Sequence, residues 1–160
     1  MGKKNIITVA IIVAILLVGV YFLINAKNKD NPKVISLTID SVNVNVGDTN
    51  LNVTGTIDLL IDDEIYDGVS LEGYCLDTNN QKYSIYGPQD GRSLFHNGTS
   101  DLSLSEDIEK VSDVNWENVT IKYCKIDNMK AYKSKNDSIT GLGKLAETKE
   151  FELNYEKSFN

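Results

Sequence analysis

The chain has 160 residues, of which 16 are basic and 23 acidic, for a net charge of −7. Lys3 and Lys4 are the only charged residues before position 26, so the remainder carries fourteen basic and 23 acidic residues, net −9. That field repels phosphate and argues against nucleic acid as a partner, because counterion release needs a basic face.

Residues 1–4 read as a short cytoplasmic tail, and residues 5–25 as a transmembrane signal-anchor helix. Ile6 to Ile24 contains no charge, and fourteen of its 19 residues are Ile, Leu, Val or Phe. At about 1.5 Å per residue this helix spans roughly 28 Å, close to the hydrocarbon thickness of about 30 Å. A cleaved signal peptide is the rival. Its apolar core usually runs only about 7–15 residues, and a cleavage site ending at Ala26 would put the large Ile24 at −3. A lipobox is excluded because no Cys follows the span, and Ile6 stands where myristoylation needs Ser or Thr. The lysines on the two sides of the span are nearly balanced. The short tail, Asp30 and a distal Cys pair favour a C-terminal domain outside the cytoplasm. Membrane lipid is then the first expected partner, through residues 5–25.

Residues 26–33 (AKNKDNPK) form a polar linker, with Pro32 as a breaker. Residues 34–157 are expected to form one extracytoplasmic domain, long enough to bury a core without staples. Its dominant period is two. Ile35, Leu37 and Ile39 alternate, then Val42, Val44 and Val46 alternate on the opposite parity, and the slip at Asp40–Ser41 predicts a bulge or kink. Leu51, Val53, Gly55, Ile57, Leu59 and Ile61 share one face of a second strand. Val69, Leu71, Gly73 and Cys75 share one face of a third. Asp77 to Gln81 is a turn into a strand over Tyr83–Tyr86, and residues 87–91 (GPQDG) form another turn. Weaker strands are expected at Leu94–His96 and Leu102–Leu104, and a short capped helix or turn at Ser105–Ser112. A strand at Val119–Ile126 and another through Phe151, Leu153 and Tyr155 complete the series. Seven or eight strands without strand–helix alternation predict an all-β fold: a single β-sandwich, Ig-like only in the loose architectural sense. Two marks of the immunoglobulin family fail. Trp116 sits eight residues before the second Cys instead of shortly after the first, and Tyr123 lies one residue before Cys124 where a tyrosine corner needs two.

The candidate chemistry is sparse. Cys75 and Cys124 are a possible disulfide, although Cys124 shares its parity with Thr120 and Lys122 while Val119, Ile121 and Tyr123 take the other face. His96, the only histidine, has no partners at metal-binding spacing and no GxSxG motif to serve. The acidic run Asp58, Asp62, Asp63, Glu64 and Asp67 does not fit a calcium loop and reads as a solvated turn. Charge is uneven: residues 48–117 carry −12 and residues 122–137 carry +3. The stretch from Asp127 to Gly143 shows little pattern and reads as a loop. Its Lys130, Tyr132, Lys133 and Lys135 form a possible contact for an unknown acidic protein or envelope polymer. Of four N-x-Ser/Thr sequons, Asn97 and Asn136 fall in expected loops and are the plausible glycosylation sites.

No catalytic residue, cofactor site or metal site is singled out, so an enzyme is not expected. The leading expectation is a single-pass membrane-anchored surface protein whose domain serves in binding, adhesion or envelope structure. An accessory subunit of a membrane protein complex is the alternative, and a surface enzyme ranks last.

Overall fold

A computed structural model describes residues 13, 16, 31–47, 50–88, 93–106, 115–135 and 144–159, without the side chains of 135 and 144–148. The chain divides into two compact units, Met1–Asn31 and Pro32–Asn160. In the first, Val13 and Leu16 are helical and exposed. The rest of the expected span, residues 5–25, lies outside the described residues. No helix among the described residues is long and apolar enough to cross a membrane.

The second unit is all-β. Its described residues form seven strands: β1 (Lys33–Asn45), β2 (Asn50–Leu60), β3 (Gly68–Asp77), β4 (Lys82–Gly87), β5 (Gly98–Glu106), β6 (Ile121–Lys135) and β7 (Lys144–Ser158). A short 3-10 turn, Trp116–Asn118, precedes β6. Every pairing is antiparallel, and the order across one curled sheet is β1-β2-β5-β4-β3-β6-β7. The joints are unequal. β2 and β5 pair along eight residues, whereas β4 meets β5 only at Ile85↔Glu106 and Tyr86↔Ser105. The sheet therefore has a three-stranded half, β1-β2-β5, and a four-stranded half, β4-β3-β6-β7. Its two outermost strands approach each other, for the Ile39 N–H of β1 donates to the Tyr155 Oη of β7 at 3.0 Å.

The alternation read in β2 is realised in the fold. Leu51, Val53, Ile57, Leu59 and Ile61 are buried, in one cluster with Leu102 and Leu104 of β5, Leu71 and Cys75 of β3, and Ile126 of β6. The parity slip in β1 is also real, because the register shifts between Ile39 and Ser41. A second shift lies between Val34 and Ser36, so Ile35 leaves the alternation and stands 61% exposed. Extra residues of this kind bend a strand and increase its twist.

Two strand glycines lie hard against a neighbouring backbone. A Cβ at Gly55 would collide with the Thr38 carbonyl of β1, and one at Gly73 with the Lys125 carbonyl of β6. Both lie beside register shifts. Close approach of a neighbouring backbone is a known reason for glycine inside a strand.

Three expectations need correction. Leu94–His96 is not a strand; Phe95 makes an isolated bridge to Val69, with N–O distances of 2.9 and 3.0 Å in the two directions. β5 begins later, and Ser105 and Glu106 end it rather than opening a helix; residues 107–112 lie outside the described residues. From Asp127 to Lys135 the expected loop is strand, because β6 continues to Lys135 with β3 on one side and β7 on the other; residues 136–143 lie outside the described residues.

Candidate functional site

Three sequence fragments alternate apolar and small polar residues: Val42–Val46 (VNVNV), Asn50–Val53 (NLNV) and Leu102–Ser105 (LSLS). Within the strands the apolar members face the core and the polar members face out, while Val46, just past the end of β1, is exposed. The register aligns these outward positions into rows. Asn43 pairs with Asn52, which pairs with Ser105; Asn45 pairs with Asn50; Ser41 pairs with Thr54, which pairs with Ser103.

The result is an open cleft of about 340 Å³ lined by Asn43, Asn45, Asn50, Asn52, Ser103 and Ser105. All six lining residues are uncharged carboxamides or hydroxyls, so every side chain there both donates and accepts hydrogen bonds. At the rim, Ser41 Oγ and Thr54 Oγ1 share a hydrogen bond of 2.8 Å, and Asn43 Nδ2 donates to Ser41 Oγ at 3.3 Å. The Asn52 Oδ1 is buried and has no hydrogen-bond partner among the described residues. A buried acceptor in that state is costly, by about 1–3 kcal/mol.

The four-stranded half presents a different surface. Lys130 Nζ lies 2.7 Å from Glu72 Oε1 and 3.6 Å from Glu150 Oε1, and Lys125 lies 3.8 Å from Glu156. Lys82 sits 4.2 Å above the Tyr74 ring, whose centroid is 6.2 Å from that of Tyr123. Burial, then hydrogen bonding to Glu156 and its charge, then Tyr74, push the Tyr123 phenol up to about 12. A smaller groove of about 230 Å³ is lined by Glu72, Gly73, Ser84, Ile85, Tyr86, Asp127 and Asn128. One of its carboxylates, that of Glu72, is already paired with Lys130.

Near the seam between the halves lies a buried polar knot. Asp77 ends β3 and is 3% exposed. Its Oδ1 accepts from the Asn79 and Gln81 N–H groups, both at 2.8 Å, and its Oδ2 accepts from Tyr83 Oη at 3.3 Å. Asn80 takes the left-handed conformation, with φ of 65°, so the carboxylate organises the β3–β4 turn as an Asx motif. The Tyr83 ring packs at 5.7 Å from Trp116. Burial, then the charge and hydrogen bond of Asp77, then the charge of Glu106, push the Tyr83 phenol up to about 12. This knot supports a turn and a core and opens onto neither cleft lined above.

Cys75 and Cys124 are bonded, from directly paired positions on β3 and β6 with a Cα–Cα distance of 4.0 Å. The parity objection is resolved by the residues that follow Cys124. Ile126, Met129 and Ala131 are buried with it, while Ile121 and Tyr123 are only half-buried. The inward face of β6 is therefore the one that Cys124 shares with Ile126.

Lys130, Tyr132, Lys133 and Lys135 lie on β6, a correction of their reading as a loop. Register shifts at Ile126/Asn128 and Ala131/Tyr132 interrupt the period of two, which hid the strand. Lys130 is engaged by Glu72 and Glu150. The Tyr132 Oη accepts from Ser70 Oγ at 3.2 Å. Lys133 is exposed, and the Lys135 side chain lies outside the described residues.

The remaining candidates are dispersed. His96 is exposed. Asp62 Oδ1 accepts from the Glu64 N–H at 3.1 Å, and Asp67 Oδ2 accepts from the Ser134 N–H, so these two acids hold turns and strand ends. No group of three or more His, Cys, Asp or Glu able to hold a metal occurs among the described residues. Asn97 is exposed just before β5, and its Oδ1 accepts from the Ile61 N–H at 2.9 Å. Asn136 lies outside the described residues. No family model, curated protein or solved structure matches the chain.

Proposed function

We propose that the chain is a single-pass membrane-anchored surface protein whose extracytoplasmic β-sandwich domain serves in binding, adhesion or envelope structure. The anchor is supported by the uncharged apolar run from Ile6 to Ile24. The sandwich is supported by the strand order, which divides into β1-β2-β5 and β4-β3-β6-β7 at a joint of two residue pairs. The inner residues of both halves share one buried cluster, as facing sheets of a sandwich do. The likeness to Ig-type domains stops at this arrangement. Cys75 and Cys124 link neighbouring strands, whereas the family disulfide bridges the two layers.

The observation that carries a binding role is the uncharged, amide-lined cleft on the three-stranded half. It is a concave surface of convergent hydrogen-bonding groups on regular strands. The test is a photo-crosslinking residue placed at Ser103 in the full-length chain, expressed in intact cells. The expected result is a membrane-bound product, cut by protease added outside, that crosslinks to an envelope component. A freely soluble product, or a domain protected from external protease, overturns the reading.

A further inference from the structure

We infer that the β1-β2-β5 cleft binds a neutral, hydroxyl-rich glycan. The inference rests on the binding role proposed above and names its ligand class.

Charge narrows the ligand first. The domain side of the chain carries net −9, yet none of the six residues lining the cleft is charged. A phosphate-, sulfate- or carboxylate-bearing ligand would enter an acidic domain and meet no cation. A cationic ligand would lose water and meet no carboxylate in the cleft. A desolvated charge without a partner is strongly unfavourable, so the fitting ligand is neutral. Shape and polarity narrow it again. The lining contains no apolar side chain, so an apolar peptide anchor finds no pocket.

What remains is a molecule that is itself dense in groups that donate and accept together. Sugar hydroxyls have that property, and so do the four carboxamides and two serine hydroxyls that face them. The spacing also fits. Outward side chains recur about every 6.8 Å along a strand and about 4.8 Å between strands, a grid on the scale of a pyranose ring and its linkage. The volume of about 340 Å³ lies at the small end of ligand pockets, which begin near ~300 Å³, as a mono- or disaccharide unit requires. Asn52 adds an independent mark. Its Oδ1 lacks a partner among the described residues at a position that lines the cleft, so its carboxamide retains bonding capacity that a reoriented side chain can give to a ligand. With no aromatic residue in the lining, hydrogen bonds rather than ring stacking carry the recognition, and a single sugar ring should bind weakly.

The test uses the full-length chain in zwitterionic micelles that contain no sugar headgroup. Chitotetraose and cellotetraose are titrated by NMR or calorimetry, beside a polyglycerol phosphate of similar length as the charged arm. Binding of at least one neutral tetrasaccharide is expected, weakened about tenfold or more by Asn43→Ala combined with Ser103→Ala. Both positions are exposed, so the fold tolerates them. Asn43→Lys should weaken the neutral ligand and recruit the phosphate polymer. Ser84→Ala, in the other groove, should change nothing. Absence of binding to both tetrasaccharides, binding unaffected by the double variant, or preference of the parent chain for the polyanion overturns the glycan assignment. The envelope crosslink from Ser103 is a separate readout. If it persists and its product is a protein, the binding role survives and the glycan does not.

Discussion

The two halves of the sheet expose opposite kinds of surface. The outer face of β4-β3-β6-β7 is tied down by ion pairs at Lys130 and Lys125, by a cation over Tyr74 and by the packing of Tyr74 on Tyr123, above a disulfide between its two central strands. The outer face of β1-β2-β5 carries rows of Asn and Ser instead. Side chains that pair with one another stabilise their own sheet. The six residues that line the cleft are uncharged and form no ion pairs of this kind. The difference teaches how the proposed division of labour would arise: ion pairs and ring packing brace the four-stranded half, and the proposed contact surface is the neutral face of the three-stranded half.

The largest blow to this contrast is removal of the staple. Loss of the Cys75–Cys124 bond, which closes a sequence separation of 49, should lower stability by about 3–4 kcal/mol. Denaturant unfolding with and without reductant measures it. The cleft should keep its ligand specificity in the fraction that remains folded, because no cleft residue touches the bond. Next come the two closely packed strand glycines, one in each half. Gly55→Ala and Gly73→Ala each force a methyl group against a backbone carbonyl, at a cost of about 3 kcal/mol. If the three-stranded half is the more independent, Gly55→Ala should disturb NMR signals of the cleft more than Gly73→Ala does.

The seam is probed by pH. The Tyr83 phenol has its pKa raised from 10.0 to about 12 in the folded chain. The unfolded chain therefore loses that proton first as pH rises, and stability falls from about pH 10 until the folded group also ionises near 12. A shift of that size corresponds to about 2–3 kcal/mol by linkage. Tyr83→Phe should be less stable than the parent near pH 8, because Asp77 loses a donor. It should then lose less on going to pH 11. Tyr123 contributes to the alkaline loss in both proteins, so the difference between them isolates Tyr83.

The smallest effects separate the two outer faces directly. Lys130→Ala removes a half-buried cation shared by two glutamates and should cost about 1 kcal/mol, less at high salt. Asn43→Ala should stay within about 0.5 kcal/mol of the parent. Equal losses at the two positions, read by chemical denaturation, would erase the distinction between a supporting and a contacting face.

Several of these features were legible in the residues. The alternation of β2 tells which side chains enter the core, and the parity slip at Asp40–Ser41 marks the register shift between Ile39 and Ser41. Asp77 to Gln81 read as a turn, and it is one. The lysine-rich end of β6 was misread because two register shifts disrupt its period, and periodicity was the only signal available. The cleft was missed for a different reason. The pattern of Asn and Ser between apolar residues was visible in each fragment, but nothing in a fragment tells which other fragment lies beside it.

By itself, the sequence determined which side chains point inward and which outward along β2, where no register shift interrupts the pairing with β5 and the two-residue period of an extended backbone holds. It also determined that residues 6–24 form an uncharged, apolar run. Tertiary structure alone decided that Asn43, Asn52 and Ser105 form one row, that Cys75 faces Cys124, and that Lys130 sits between two glutamates. Strand pairing is a long-range choice, settled by the register of hydrogen bonds between segments that local residue types leave free to slide past one another.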